Sequence, residues 1–309
     1  MTSVSEVQSR PKRSGKVVSL EQAAPLVRDG CRLALGGFSI YQRPMAFVRE
    51  LIRQKRRDLT IVGVTNSIET DMLIGAGAVS RIETSYVGHE KYGLAKNFRR
   101  ASEEDGMDVV DYPELLCWDR FRASQENLSF WPAAGLGGTD IVRLNEDVKP
   151  FRCPISGRSM HALPAAAPDV AVIHALAADN YGNVIVPSYR NLPQSLDLTL
   201  ARCSNTVIVT VERIVSESFL KRHAQLVEIP AVRVSALCVV PFGAHPTSML
   251  GRYQDDEPHW KTYIEATGSA GAFSAYLDEF VHRAKNNDAY LNKIGGAHLA
   301  SLLQVDTQK

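Results

Sequence analysis

The feature that most constrains the fold is a series of short, unbroken runs of aliphatic and β-branched residues. They lie at Leu59–Val64, Val170–Ile173, Thr206–Val211 and Ala236–Val240, with a shorter run at Arg32–Leu35. A strand with one solvated face alternates apolar and polar residues, and these runs do not alternate. Both faces of each strand are therefore expected to be buried, as in a parallel sheet covered by helices.

Helical patterns separate several of these runs. Ser19 and Gln22 have the spacing of a capping box, Pro44 suits the first position of a helix, and apolar residues recur every three or four positions across 273–281. Because strands and helices alternate along most of the chain, we predict an α/β fold. It is built on an open, mostly parallel sheet covered by helices, with the site in the loops at the strand ends.

The first sixteen residues are polar, carry several basic side chains and include few large apolar groups. We predict a disordered N-terminal arm over residues 1–16, followed by a single α/β domain over residues 17–309. A length of 309 residues would also accommodate two domains, but no internal repeat is evident.

Charge and composition exclude several classes of partner. Lys and Arg total 35 and Asp and Glu total 34, so no basic excess favours a nucleic-acid backbone. No apolar run approaches the ~18 residues that span a bilayer, and the N-terminus lacks the apolar stretch of a secretory signal. We expect a cytoplasmic protein without a membrane partner. The five cysteines include no CxxC pair, so no metal site is expected.

Three glycine-containing segments lie at predicted strand ends. They are Leu35-Gly36-Gly37-Phe38, the segment 135–140 with Gly137 and Gly138, and Phe242-Gly243-Ala244-His245. Glycine lets backbone N–H groups approach an anion or oxyanion closely, although each segment taken singly is equally well explained as a tight turn. None matches a nucleotide-binding fingerprint. Together they predict a site for an acyl or phosphate-bearing ligand.

Four titratable residues near strand ends are candidates for chemistry. His245 is placed to donate a hydrogen bond to a carbonyl, whereas His174 is better explained as a structural residue. Glu212 follows a strand, and we interpret it as an acid at a helix N-terminus, where the helix dipole favours negative charge. Glu114, in a turn before a Leu-rich helix, is either a first-turn helix acid or a site carboxylate.

Longer segments of the chain resemble a known family. The segments are DGCRLALGGFSIYQRP (Asp29–Pro44), DMLIGAGAVSRIETSYVG (Asp71–Gly88), GLAKNFRRA (Gly93–Ala101), VIHALAADNYGNV (Val172–Val184), VTVERIV (Val209–Val215), PFGAHPTSMLGRY (Pro241–Tyr253) and AYLNKIG (Ala289–Gly295). In this order they are similar to the A (alpha) subunits of class I coenzyme A transferases, closest to the glutaconate type. Gln42 departs from the pattern, because many members carry glycine two residues before the proline of the first segment.

The resemblance implies a fold related to sugar-phosphate isomerases, and a heterodimer or (αβ)₂ assembly with a homologous B (beta) subunit. In such transferases a Glu from the B chain attacks the acyl-CoA, forms an acyl-glutamyl anhydride and then a glutamyl-CoA thioester, and passes CoA to a second carboxylate with ping-pong kinetics. No matching Glu motif occurs here, so the chain is expected to be half of an enzyme. Coenzyme A enters as the acyl-CoA substrate, and no permanently bound cofactor is expected.

We expect the loops to supply cleft walls and backbone donors, while the partner holds most of the CoA. The assigned CoA- and substrate-binding residues are Gly36, Gly37, Phe38, Asn66, Ser67, Gly137, Gly138, Gly243, Ala244 and His245.

Two alternatives to a transferase remain open. Relatives that open steroid-derived rings as CoA thioesters, by hydrolysis of a carbon–carbon bond, keep a working Glu near the position of Glu114, where many transferases have Gln. A Glu in a partly dry cleft, its pKa raised by desolvation, would act as a base toward water or an α-proton. The second alternative is a non-catalytic subunit that stabilises the B chain. The glycine segments argue against it, since scaffolding alone does not require them.

Overall fold

A computed structural model describes residues 14–104, 106–134, 136, 138–187 and 195–303 of the chain. The strands, in chain order, are β1 (Arg32–Leu35), β2 (Leu59–Val62), β3 (Thr65–Asn66), β4 (Val79–Thr84), β5 (Tyr86–Val87), β6 (Asp108–Asp111), β7 (Phe130–Ala133), β8 (Lys149–Arg152), β9 (Ser159–Pro164), β10 (Val170–Ala178), β11 (Val184–Ile185), β12 (Thr206–Ile214) and β13 (Ala236–Val239).

The helices, in the same order, are α1 (Leu20–Ala23), α2 (Met45–Arg53), α3 (Ile68–Gly75), α4 (Lys96–Glu103), α5 (Glu114–Gln125), α6 (Ile141–Leu144), α7 (Ser195–Cys203), α8 (Glu217–Arg222), α9 (Glu257–Ala266), α10 (Ala270–Leu277), α11 (Asn287–Ile294) and α12 (Gly296–Leu302). Short 3₁₀ turns lie at Ala24–Leu26, Glu90–Tyr92, Ala224–Leu226 and Ala231–Arg233, and a π turn at Asp278–His282 continues α10.

The main sheet has the strand order β13-β12-β10-β1-β2-β4-β6, and each neighbouring pair in this order is parallel. β11 adds an antiparallel pair at the end of β10, and β7, β9 and β8 form a separate antiparallel sheet. The chain builds outward from β1 in one direction and then returns to add β10 on the other side. In open α/β sheets ligands bind at such a reversal, outside the carboxyl ends of the strands. The predicted fold class is confirmed.

Both faces of the central strands are buried, as the unbroken apolar runs predict. Leu33 and Leu35 of β1 lie in one core cluster and Ala34 in the other, and neighbouring strands divide their residues in the same way. Helices α2, α3, α9 and α10 cover the first face. Helices α5 and α7, together with the small antiparallel sheet, cover the second.

Local signals place most element boundaries within a few residues. The capping box at Ser19 is confirmed, because its hydroxyl accepts from Gln22 N–H while the Gln22 side chain accepts from Ser19 N–H. Pro44 is the residue before α2 and not its first residue.

Lys16, the last residue of the predicted arm, is bonded to the folded chain. Lys16 donates its backbone N–H to Asn180, and its ammonium group donates to the carbonyls of Ala231 and Val234. The predicted arm is thus too long at its C-terminal end. Residues 1–13 lie outside the described residues, and the single domain over the remaining chain stays a prediction.

Two kinds of feature are absent from the described residues. No helix among them is long and apolar enough to cross a membrane. Within the same ranges, no group of three or more His, Cys, Asp or Glu side chains is arranged to hold a metal ion.

Candidate functional site

A cavity of about 580 Å³ opens at the carboxyl ends of β1, β2, β4 and β6. Its position follows from the parallel sheet, which brings the loops after these strands to one edge. The lining combines aromatic and aliphatic walls with hydroxyls and carboxylates: Phe38, Thr65, Ser85, Tyr86, Glu90, Asp111, Tyr112, Pro113, Glu114 and Ile141.

Packed aromatic side chains form part of the cavity wall. Phe38 stacks on Trp118 with ring centroids 6.5 Å apart. Tyr112 is fully buried beneath the Arg120 guanidinium, 3.8 Å from its ring centroid, and burial raises the pKa of Tyr112 to about 12. The phenol thus stays neutral at physiological pH. These rings suit the hydrocarbon part of an acyl group.

The polar groups of the cavity include three carboxylates and the aliphatic hydroxyls of Thr65 and Ser85. Glu90, Asp111 and Glu114 are all exposed, and partial desolvation raises the pKa of Asp111. Ser39 donates its hydroxyl to Glu90 at 2.6 Å, and Ser85 donates to the Val64 carbonyl at 2.6 Å. The described lining contains no His, Cys or Lys, and the Ser85 hydroxyl is engaged by a backbone carbonyl.

Glu114 is the first residue of α5, which matches the first-turn acid of the sequence analysis. It also lines the cavity, so both interpretations of this residue describe its location. The partly dry environment that the hydrolase hypothesis requires is not present in the chain alone, because Glu114 is exposed.

The first glycine segment does not offer its N–H groups to a ligand. Gly36 donates to the Val172 carbonyl, Gly37 donates to Asp197 Oδ1 at 2.7 Å, and Phe38 donates to the Tyr41 carbonyl. A Cβ atom on Gly36 would lie 2.5 Å from Asp197 Oδ1, so the close approach that requires glycine is to the chain itself. The expected backbone-donor role is corrected for this loop, and Phe38 alone of the three residues lines the cavity.

The third glycine segment is likewise turned inward. Gly243 donates to Glu212 and Ala244 donates to the Tyr253 hydroxyl. His245 is buried, with Nδ1 2.7 Å from the Tyr290 hydroxyl and Nε2 2.8 Å from Asp256. Both ring nitrogens are satisfied, and His245 is not among the lining residues of the cavity.

Glu212 is not a helix N-terminal acid; that interpretation is wrong. It lies within β12, buried, and accepts from Phe242 N–H, Gly243 N–H, Tyr253 and Arg252, with His174 Nε2 2.9 Å away. Burial alone would raise the pKa of Glu212, but the bonds and charge from His174 and the other donors lower it. His174 also contacts the Thr210 hydroxyl, which agrees with its interpretation as a structural residue.

The remaining assigned residues fall in different places. Asn66 and Ser67 are buried, with Asn66 bonded to Thr70 and Thr84 and Ser67 bonded to His89. Gly138 is exposed at φ +90°, three positions before the cavity residue Ile141, and Gly137 lies outside the described residues.

Residues that the sequence analysis missed hold the Gly36–Gln42 loop. Arg43 is buried and donates to several carbonyls of that loop, and Asp197 bonds Gly37 across 160 positions of sequence. A charged residue inside the otherwise uncharged signature GGFSIYQRP is the one available signal for Arg43. Nothing local marks Asp197 or Glu90.

Comparison with known proteins agrees with this geometry. The family model for coenzyme A transferase matches residues 17–239. The chain belongs to the coenzyme A transferase family. The predicted family, and with it an enzyme of the transferase type, is confirmed.

Individual members of the CoA-transferase family support the same placement. The A subunit of glutaconate CoA-transferase from Acidaminococcus fermentans is 31% identical over 93% of this chain and 94% of its own length. The crystal structure of that enzyme matches with a TM-score of 0.87, covering 94% of this chain and 96% of the other.

Other members have different names. A protein of Archaeoglobus fulgidus without an assigned activity is 34% identical over 91% of this chain. The match covers 63% of the length of the Archaeoglobus protein. A cholesterol ring-cleaving hydrolase subunit of Mycobacterium tuberculosis is 26% identical over 86% of this chain and 93% of its own length.

Proposed function

We propose that this chain is one half, the A half, of a two-chain CoA-transferase that moves CoA between an acyl-CoA and a carboxylate. The observation that carries the proposal is an aromatic-walled cavity, at the ligand-binding edge of a glutaconate CoA-transferase fold, which this chain alone leaves open. The relatives named as A subunits support a homologous B chain as partner.

The reaction proceeds by acyl transfer through a carboxylate. A Glu from the B chain attacks the thioester carbonyl, forming an acyl-glutamyl anhydride and releasing the CoA thiolate. The thiolate attacks the glutamyl carbonyl, which gives a glutamyl-CoA thioester and frees the first carboxylate. The acceptor carboxylate then repeats the two steps in reverse and leaves as the new acyl-CoA, so the kinetics are ping-pong.

The partner's role follows from the exposure of this chain's own carboxylates. Anhydride and thioester intermediates are hydrolysed by water, and the site must therefore be dry while they exist. Glu90, Asp111 and Glu114 are exposed in the isolated chain. A partner that closes the cavity and brings the nucleophile with it meets both needs, and Phe38 and Tyr112 then pack against the acyl chain.

The test is to purify this chain and a B-type chain separately and together. CoA exchange is assayed with acetyl-CoA or succinyl-CoA as donor and glutaconate or acetoacetate as acceptor. Only the mixture should exchange CoA. Incubation with donor alone, reduction with borohydride and mass spectrometry should place the modified Glu on the B chain. A modified Glu on this chain, or exchange by this chain alone, would contradict the proposal.

A carbon–carbon hydrolase is the second candidate. It is favoured by Glu114, which lines the cavity, and by the similarity to a cholesterol ring-cleaving hydrolase subunit. It requires the partner to bury Glu114, because desolvation makes the carboxylate a stronger base. The first and third glycine segments no longer argue against a purely stabilising subunit, because they serve internal packing; the cavity is now the argument against it.

A further inference from the structure

The loop between β1 and α2 contains a strained residue whose side chain is firmly held. Gln42 has φ +58°, in the left-handed region that favours glycine. Its buried amide nitrogen donates to the His174 carbonyl at 2.9 Å and to Asp197 Oδ2 at 3.1 Å. The departure from the usual glycine therefore adds two hydrogen bonds that glycine would lack.

Asp197, near the start of α7, is the other half of this contact. It is 2% exposed, and its Oδ1 accepts from Gly37 N–H while its Oδ2 accepts from Gln42. One carboxylate thus joins the beginning and the end of the same loop. A Cβ atom on Gly36 would clash with Asp197 Oδ1, so the loop packs directly against this carboxylate.

Arg43 supports the same loop through its backbone carbonyls. Its guanidinium donates to the carbonyls of Ser39, Gly36 and Thr65, and its Nε lies 3.2 Å from Glu69. The loop is therefore fixed between a buried carboxylate and a buried guanidinium. Between these fixed ends it carries Phe38, which lines the cavity, and Ser39, which bonds Glu90.

We propose that Asp197 is a positioning residue for the transfer reaction: its carboxylate, through Gly37 and Gln42, holds Phe38 at the cavity wall in the geometry that the acyl group requires. This inference rests on the proposed function. It assigns no contact between Asp197 and substrate.

The carboxylate should be sensitive to pH. Burial raises the pKa of Asp197 to about 6, against the lowering effects of the Gly37 bond, Arg43 and Gln42. The charged group that faces the Asp197 carboxylate is Arg43, which is itself paired with Glu69. From β10, the His174 carbonyl accepts from Gln42. The His174 ring contacts Thr210 and Glu212 instead. A protonated carboxyl carries a hydroxyl that meets donors on both sides, so one bond to the loop is lost below this pH.

Asp197→Asn makes the same change at every pH without altering side-chain shape. The introduced amide accepts from Gly37 but opposes the Gln42 amide, donor against donor. Gln42 can turn its oxygen, which has no partner in the described structure, toward the introduced amide, but it then loses the bond to His174. Gln42→Gly is the second variant, since it relieves the backbone strain and leaves the Gly37 bond in place.

The test uses the reconstituted complex and the donor and acceptor pair that wild type exchanges. Rates are measured from pH 5 to 8 alongside thermal unfolding, and Asp288→Asn, an exposed Asp on α11, is the matched control. We expect wild-type kcat/KM to fall below about pH 6. Asp197→Asn should lower kcat about tenfold or more and remove this acid limb, because a misplaced wall costs rate at all pH values. Gln42→Gly should move the limb to higher pH, since the Gln42 bond lowers the pKa of Asp197.

The outcomes separate this inference from the proposed function. Absence of CoA exchange by the wild-type complex would overturn the proposed function, and with it this inference. Wild-type exchange with an unchanged acid limb in Asp197→Asn, or in Gln42→Gly should the first variant not fold, would overturn the inference alone. Activity lost only in proportion to unfolded protein, with the pH profile intact, would show a merely structural role and would also overturn it.

Discussion

Glu114 shows how the position of a residue limits its chemistry. It is exposed at the first position of α5, where the helix dipole stabilises its negative charge. A transferase needs this carboxylate only as part of the cavity rim. We therefore expect Glu114→Gln to retain CoA exchange in the reconstituted complex within about twofold, the scale of an exposed substitution.

Glu103→Gln, on the exposed end of α4, is the control for removing one surface carboxylate. The assay follows CoA exchange and, with no acceptor present, ring-opened product. A general base is worth about 10²–10⁴-fold in rate. A loss of about a hundredfold or more with normal assembly would favour the carbon–carbon hydrolase.

Sequence patterns identify the cavity residues that lie next to strand ends and miss those reached through space. Phe38 and Glu114 stand out in the local pattern, and the fold brings them together. His245 and Gly243 stand out in the same way, but the chain uses their polar groups internally. The local sequence pattern shows that a glycine is needed. It does not show whether the atom that approaches the glycine belongs to a ligand or to the chain itself. Asp197 has no such signal, because its partner Gly37 is 160 positions away.

At the scale of elements, one carboxylate ties two strands and a helix together. Glu83 of β4 is buried and accepts two bonds of 2.9 Å from Arg32 of β1, with further bonds from Arg81 and from Arg120 of α5. Arg81 also binds Asp108 of β6, which extends the network to a third strand. Although burial alone would raise the pKa of Glu83, the hydrogen bonds and charges of Arg32 and Arg120 lower it to about 2.

We expect Glu83→Gln to lower the free energy of unfolding at pH 7 by about 3–5 kcal/mol, since it leaves the buried Arg120 guanidinium, and the half-buried one of Arg32, without a counter-charge. A depressed carboxyl pKa contributes stability above the unfolded pKa that is lost as pH falls through the folded one. The difference between wild type and variant should therefore shrink from pH 4.5 toward pH 2, the range set by the two pKa values. Urea unfolding measures both. Glu103→Gln, which breaks the exposed pair with Arg99, should cost less than about 1 kcal/mol; equal costs would contradict the argument.

The same scale explains where strand predictions stopped short. The apolar runs end at Ile173 and Val211, yet β10 continues to Ala178 and β12 to Ile214. The residues that interrupt the pattern satisfy one another, because His174 lies opposite Thr210 in register and bonds both Thr210 and Glu212. The sequence does not show which residue of the next strand will pair with a polar residue. A strand predicted from sequence is therefore ended at that residue, although the real strand continues.

At the scale of the whole molecule, buried histidines attach the C-terminal helices to the sheet. His245, after β13, contacts Asp256 and Tyr290, and His259 of α9 lies 2.8 Å from the Tyr276 hydroxyl. Burial, together with nearby His245, lowers the pKa of His259 to about 3. The unfolded chain then binds a proton that the folded chain does not, so stability is present above pH 6.5 and is lost as pH falls toward 3.

For His259 alone, this linkage lowers the free energy of unfolding by about 2 kcal/mol between about pH 7 and pH 5. We expect His259→Gln to remove this part of the decrease in unfolding free energy between pH 7 and pH 5, independently of how much the variant destabilises the protein at pH 7. Denaturant titrations at both pH values give the slope. His282→Gln, an exposed site, should leave the slope unchanged. If His259→Gln keeps the wild-type dependence of unfolding free energy on pH, the prediction that His259 is neutral in the folded protein is wrong.

The largest consequence of the proposed function is that the site is completed by another chain, and this fixes where that chain must come. The partner's nucleophile has to reach the open side of the cavity, next to Glu114. Leu115 follows Glu114 on α5 and is 67% exposed, so it offers an apolar side chain beside the cavity that a partner can cover.

Leu115→Glu should weaken assembly with the B chain about tenfold or more, because it places a charge in a desolvated contact. The isolated variant should remain stable, since an acid in the first turn of a helix is favourable. Val232→Glu adds the same charge at a residue that is 85% exposed beyond the N-terminal end of β13, away from the cavity, and should assemble normally. Analytical ultracentrifugation gives both affinities, and CoA exchange should follow the amount of complex. Normal assembly of Leu115→Glu would place the partner elsewhere and leave the cavity without the chain proposed to close it.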